Sequence, residues 1–337
     1  VNGTTVTGSQ ALRSNTTTRG YLANGNVGSL ANYLNTQNVG TGQNGGLLRR
    51  NGFAEDFIVR NPQFSAANVR GNPSNSTYHS LQLQFTKRLS SGFTSSASYT
   101  WSRTLGEADG DGGTTYRDPR NRSLDKTLLG FHRTHAITSN GTWTLPFGPN
   151  QILLNNIPGW VARVVEGWQL GGILTLSSGS PMSVSTGLNL IHNSSSGSTP
   201  NIVGPFPKGT GKITMTGALP NYFADFKQIE DPSRVNVTTL QAVQNQFSNK
   251  AITDANGNVL LVNPAPGTLG TLGMNTLEGP GNVGLDMNLS KQVRISETKN
   301  IELRVNAFNL LNTPNWNNPE TSINSNNFGQ ITGASGS

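Results

Sequence analysis

The sequence predicts an all-β fold, a transmembrane antiparallel β-barrel that is incomplete and carries long extracellular loops. Three observations lead there: an apolar period of two, segments of barrel-strand length, and connections that alternate between short and long. In Tyr78–Leu89, Leu81, Leu83 and Phe85 alternate with Gln82, Gln84 and Thr86. In Gly92–Ser102, Phe93, Ala97, Tyr99 and Trp101 alternate with Thr94, Ser96, Ser98 and Thr100. Thr134–Leu145 sets Ile137, Trp143 and Leu145 against Thr138, Asn140, Thr142 and Thr144. Gly167–Ser177 places Trp168, Leu170, Leu174 and Leu176 on one side. Asn282–Arg294 opposes Val283, Leu285, Met287, Leu289 and Val293 to Asp286, Asn288, Ser290, Gln292 and Arg294. Asn300–Leu311 offers Ile301, Leu303, Val305 and Ala307 against Glu302, Arg304 and Asn306.

Each segment is about 10–12 residues long, and a tilted membrane strand needs about 9–11. The polar faces carry Gln, Asn, Thr and Asp, which suits a wet lumen, so the opposite face is expected to meet lipid. Tyr78, Trp101, Trp143 and Trp168 stand near segment ends, where an interfacial girdle would place them. A soluble antiparallel sheet would also alternate, and connection lengths discriminate. A tight Ser90-Ser91-Gly92 turn is followed by a long polar stretch, Arg103–Arg133, and then a medium turn opening with Pro146-Phe147-Gly148. Next come a very long loop, Ser178–Gly281, a compact Ile295–Lys299 turn and an Asn-rich stretch, Asn312–Asn327. Short periplasmic turns and long extracellular loops produce this rhythm, whereas a sandwich spaces its turns more evenly. Residues 1–76 are read as a barrel segment with a long polar loop and a short helix, Ser29–Thr36, built on Leu30, Tyr33 and Leu34. Residues 77–337 are read as the C-terminal strands with extracellular loops 103–133, 178–281 and 312–327. A second short helical stretch is expected over Pro158–Val165.

Composition excludes several classes. The 337 residues are 33% hydrophobic and 12% charged, with 40 Gly and 41 Asn. Disorder normally joins low hydrophobicity to high net charge, and the second is missing. The net charge of +7 is scattered, with no run of basic residues, so nucleic acid is not an expected partner. The absence of cysteine removes disulfides, thiolate metal sites and thiol catalysis. No apolar run reaches the roughly 18 residues of a membrane helix. The opening Val1-Asn2-Gly3 lacks both Met and a signal peptide, which reads as an internal or processed segment.

Chemical motifs are sparse. Gly40-Thr41-Gly42-Gln43-Asn44-Gly45 matches G-x-G-x-x-G without the strand and helix that a dinucleotide site requires. Glu107, Asp109, Asp111 and Asp118, with Gly112 at the sixth place, follow calcium-loop spacing. Flanking helices are lacking there, and Glu107 and Asp118 depart from the usual first and twelfth residues, so a solvated loop tip is the competing reading. His132 and His135 begin a strand, where residues three apart point to opposite faces and do not form a metal pair. No nucleophile-base arrangement is local, so neither catalytic residues nor a cofactor is expected, and the protein is expected not to be an enzyme.

One family resemblance joins these segments. Tyr78-His79-Ser80-Leu81-Gln82-Leu83-Gln84, Thr86-Lys87-Arg88, Ala97-Ser98-Tyr99-Thr100-Trp101-Ser102 and Asp118-Pro119-Arg120-Asn121 carry it first. Leu124-Asp125, His132-Arg133 with His135, Leu145-Pro146-Phe147-Gly148, Gly167-Trp168-Gln169-Leu170 and Ser178-Gly179-Ser180-Pro181 follow. Gly279-Pro280-Gly281, Asn306-Ala307-Phe308-Asn309-Leu310-Leu311-Asn312 and Asn327-Phe328-Gly329-Gln330-Ile331-Thr332 complete the series, with Ala23-Asn24-Gly25-Asn26, Phe57-Ile58-Val59 and Asn61-Pro62-Gln63-Phe64 upstream. In order and spacing they resemble the C-terminal barrel portion of a TonB-dependent receptor, in the Oar-like group with a carboxypeptidase-regulatory-like domain, of Acidobacteria type. The resemblance implies a barrel of about 22 strands with a plugged lumen. It also implies a plug, a TonB-contacting segment and a small N-terminal sandwich domain, none expected within these residues, and a final strand after Asn327 that is missing. The implied location is the outer membrane of a Gram-negative cell. The implied partners are outer-membrane lipid, the TonB complex and a small ligand (siderophore, glycan or peptide), with energised import as the function. A surface adhesin or carbohydrate-binding β-protein without transport is the alternative, and a passive porin a third reading. The ligand-selecting residues are expected in Ser178–Gly281 and Arg103–Arg133.

Overall fold

A computed structural model describes residues 7–36, 48, 51–58, 61, 71–72, 74–108, 116–118, 121–191, 198–207, 209–215, 217–296 and 298–335. Six long strands, β1 (Ser76–Ser90), β2 (Phe93–Gly106), β3 (His135–Thr144), β4 (Trp168–Ser177), β5 (Asn282–Ser296) and β6 (Lys299–Ala307), form one sheet. Each lies antiparallel to the next in chain order, and a short strand, Thr127–Leu128, joins the end of β2. The β1–β2 connection is Ser91-Gly92 with φ of 52° and 74°. Two left-handed residues make the tight turn whose twist suits a hairpin.

Register fixes the faces. Leu83, Tyr99, Ile137, Leu176 and Val283 lie directly opposite one another across five strands. Phe93, Trp143, Leu170, Leu289 and Val305 form a second apolar row. The intervening row is Gln84, Ser98, Thr138, Thr175 and Gly284. A one-residue slip would turn every apolar side chain to the other face. The apolar face is not packed against a second layer, since Phe85 is 63% and Val305 66% exposed. Trp101, Trp143 and Trp168 fall on this face, as the girdle reading expects. Tyr78 does not. It stands opposite Thr104, in step with Ser80 and Gln82, and so belongs to the polar face. β6 also stops short of the expected Leu311. Asn309 and Asn312 take φ of 47° and 48°, and Asp286 Oδ1 accepts the Asn309 amide at 2.8 Å, which turns the chain out of the strand.

The buried core lies elsewhere, in a cap at the end of the sheet where the long connections emerge. Met182, Phe206, Tyr222, Ile252, Leu260 and Leu272 come from the 178–281 connection, and Ile323, Phe328 and Ile331 from the residues after β6. Short strands support it: Lys227–Glu230, Lys250–Thr253, Val259–Val262 and Asn201–Ile202 form a four-stranded antiparallel sheet. Gln228 Nε2 donates to Ile323 O and Ser325 O at 2.8 and 2.7 Å, pinning the later segment to the earlier one.

Residues 1–76, expected to hold a barrel segment with a long polar loop and a short helix, are described only in part. Their described part holds α1 (Gly8–Ser14), α2 (Thr16–Ala23) and α3 (Val27–Thr36), and no strand precedes β1 among the described residues. The Thr-rich start of α2 has weak helix propensity. Asn15 compensates as its N-cap by accepting the amides of Thr17 and Thr18. These helices dock on the cap: Arg13 Nε donates to Gln241 Oε1 at 2.5 Å, and Asn24 Nδ2 to Gln246 O at 3.0 Å. The second expected helix forms as α4 (Gly159–Val165), between β3 and β4.

Candidate functional site

The cap contains a cleft of about 470 Å³ where three distant segments converge. Thr17 and Tyr21 approach from α2, Thr186 and Asn249 from the 178–281 connection, and Ser322 and Asn324 from the segment after β6. Every lining side chain is uncharged, and most end in a hydroxyl or an amide. Such groups both donate and accept hydrogen bonds, while the Tyr21 ring, edge-on to Tyr33 at 6.0 Å, adds an aromatic surface.

Hydrogen bonds hold the wall in place. Asn24 Oδ1 accepts the amides of Ser248 and Asn249 at 2.8 and 3.1 Å, fixing the end of α2 to the cap. Behind the opposite wall, Asp231, buried, accepts from the Asn263 amide and from Asn263 Nδ2, both at 2.9 Å. Asn263 also pairs with Asn324, whose Nδ2 donates onward to Thr186 O at 2.8 Å. A buried carboxylate is tolerable only when its lone pairs are satisfied in this way. Nearby Tyr222 gives its hydroxyl proton to Glu278 O at 2.7 Å, and burial pushes its pKa up to about 12.

The cap joins the sheet through a narrow neck. Ser178-Gly179-Ser180-Pro181 and Gly279-Pro280-Gly281 meet there: the Gly279 amide donates to Ser180 O at 2.9 Å. A Cβ on Gly179 would lie 1.9 Å from Gly279 O, so only a bare backbone fits. In the β2–β3 connection, Arg117 and Asp125 form a buried ion pair at 3.1 Å. His132, also buried, accepts the Thr104 amide on Nδ1, and Thr134 links its ring to Glu278 Oε2. Burial holds the His132 pKa below its ordinary value, Glu278 opposes this, and Arg103 and Arg133 reinforce it.

Of the calcium-spaced acids, Asp109 and Asp111 lie outside the described residues, as do the 40–45 glycine motif and His192. Glu107 accepts from Asn75 Nδ2 at 3.2 Å, and the Asp118 carbonyl accepts the Asn121 amide at 2.9 Å. Among the described residues no three His, Asp or Glu side chains are grouped to hold a metal. The described residues of the Arg103–Arg133 connection, expected to share in ligand selection, do not line the cleft. Instead α2 and the 322–325 segment supply half of it. Sequence reasoning missed them because no local motif marks them, although Ala23-Asn24-Gly25-Asn26 and Asn327-Phe328-Gly329 lie beside them.

No curated protein and no solved structure matches this chain. A family profile described as an outer membrane beta barrel domain matches residues 4–337. Among the described residues no helix is long and apolar enough to cross a membrane, and the crossing elements are strands. With the profile spanning nearly its whole length, and with an apolar sheet face left open to hydrocarbon, the chain belongs to the outer membrane beta barrel family and resides in the outer membrane of the cell.

Proposed function

We propose that this chain is the barrel portion of a TonB-dependent receptor of the Oar-like group, which captures a neutral oligosaccharide outside the cell for energised import. The observation that carries the reading is the uncharged cleft of hydroxyls, amides and one aromatic ring, set in a folded cap at the end of the sheet that bears the long connections. Sugar hydroxyls need partners that donate and accept, and a ring face suits the apolar side of a pyranose. A ferric siderophore or a charged peptide would call for ionic partners that the cleft does not offer. Import rests on the order and spacing of the motifs quoted above. In that reading the ligand passes inward once a plug yields to force from the inner-membrane complex, and no covalent chemistry, cofactor or metal takes part. β1 and β6 are each paired on one side only among the described residues. Backbone groups in hydrocarbon must be paired, so this sheet is an arc of a larger ring.

The test is uptake of labelled neutral oligosaccharides by cells expressing the full-length receptor, with and without a protonophore. Accumulation that collapses with the proton gradient supports the reading. Binding that persists without accumulation favours the adhesin. Gradient-independent entry favours a porin. Retained affinity in Tyr21→Ala and Asn249→Ala variants would remove the cleft from the account.

A further inference from the structure

The β3–β4 connection carries an apolar surface built from two separate stretches. Ile152 is 84% exposed and Trp160 75%, with Leu153, Leu154 and Val164 exposed beside them. Trp160 and Val164 are four residues apart and share the outward side of α4, while Ala162 is buried beneath. Such a patch on a protein surface marks something that covers it.

The anchorage of α4 identifies the cover. Lys291 lies in step with Leu289 and Val293 and opposite Trp168, so it belongs to the apolar, lipid-facing side of the sheet. A lysine there would be costly in hydrocarbon. Its Nζ instead donates to Arg163 O, Val164 O and Glu166 O at 2.6, 3.0 and 2.5 Å, using all three protons on the carbonyl end of α4. Trp168, from the same face, gives its indole proton to Val164 O at 2.9 Å. Two side chains of the lipid-facing surface therefore hold the end of the helix. α4 sits outside the barrel wall, at the end with the short turns, which in this family is the periplasmic end.

We infer that residues 152–164 form an interfacial foot, with Ile152–Leu154, Trp160 and Val164 seated in the periplasmic phospholipid leaflet and exposed Arg163 among the headgroup phosphates. The foot continues the hydrocarbon-facing surface of the sheet rather than opening a separate protein interface. A short helix with Trp and aliphatics on one side and a basic residue beside them suits this depth. Lys291 serves as the bolt, its charge neutralised against the helix carbonyls. The inference depends on membrane residence and holds whatever ligand the barrel takes.

These 337 residues contain no cysteine, so, with any cysteine elsewhere in the full-length protein replaced by serine, a single introduced thiol can be read. The full-length protein would carry Trp160→Cys or Val164→Cys with a nitroxide label, in phosphatidylethanolamine/phosphatidylglycerol vesicles. Leu83→Cys serves as lipid-facing control and Val235→Cys as water-facing control. Oxygen collisions exceeding those of a polar nickel chelate, as at Leu83, are expected at both foot positions. Adding Lys291→Ala should shift Trp160 towards the Val235 pattern. Chelate access equal to Val235, or a label shielded from both reagents as under a protein partner, would overturn the foot.

Discussion

Asn263 and Asn324 exchange side-chain hydrogen bonds across the cap: Asn324 Nδ2 reaches Asn263 Oδ1 at 2.8 Å, and Asn263 Nδ2 reaches Asn324 Oδ1 at 3.2 Å. The pair joins the connection before β5 to the segment after β6, and Asn263 leans on the buried Asp231 carboxylate. Removing one amide strands partners that burial has separated from water, at a cost of about 1–3 kcal/mol. Asn324→Ala should therefore loosen the cap while leaving the sheet intact. Faster proteolysis of the cap on whole cells, with unchanged heat-modifiability of the barrel, is the outcome to look for.

The neck tolerates no side chain. Gly179→Ala places a methyl carbon against Gly279 O, and crowding of this kind costs about 1–3 kcal/mol or more. Gly8→Ala, where nothing lies within 4 Å, is the matched control. Thermal denaturation in detergent should separate the two variants, with only the neck substitution lowering the midpoint of the cap transition.

The two faces of β1 should respond unequally to charge. Leu83→Arg puts a guanidinium near the middle of a lipid-facing strand, a change worth about 2–4 kcal/mol at the bilayer midplane. Gln84→Arg, one residue on, points to the wet side and should change stability little. Reversible guanidinium unfolding of the full-length protein from vesicles measures both.

Acid should weaken the outer end of the sheet through His132. Its folded pKa is depressed below 6.5, so in this range the unfolded chain binds the extra proton. Stability from this group is complete above about pH 6.5 and declines as pH falls towards the folded value. Protonation at Nδ1 would also displace the Thr104 amide that this atom accepts. A His132→Gln variant should lack that slope between the two values when unfolding is followed against pH.

The strands were legible because alternation is a local property: Leu81, Leu83 and Phe85 announce their face without reference to any partner. Tyr78 was misassigned because nearness to a strand end says nothing about side, and only the pairing with Thr104 decides it. The cap leaves no periodic trace in the sequence because many of its core residues sit on strands of two to four residues, too short for a period to show. The helices before β1 were mostly hidden too, since α2 opens on three threonines and gains its stability from Asn15 and from docking. The cleft was the least legible feature. Tyr21 is more than two hundred residues from Asn249 and Asn324, which are themselves far apart in the chain, and nothing in their neighbourhoods announces that they meet.

Where the polypeptide departs from the wall at Gly179 and returns at Gly279, the two crossings touch. A hundred residues of excursion thus leave and rejoin the wall at one place, while side-chain hydrogen bonds tie them to the helices before β1 and to the segment after β6. Whatever is inserted, deleted or exchanged above that point leaves the alignment of β4 with β5 undisturbed, so the outward-facing half can diversify against new targets on an unchanging cylinder.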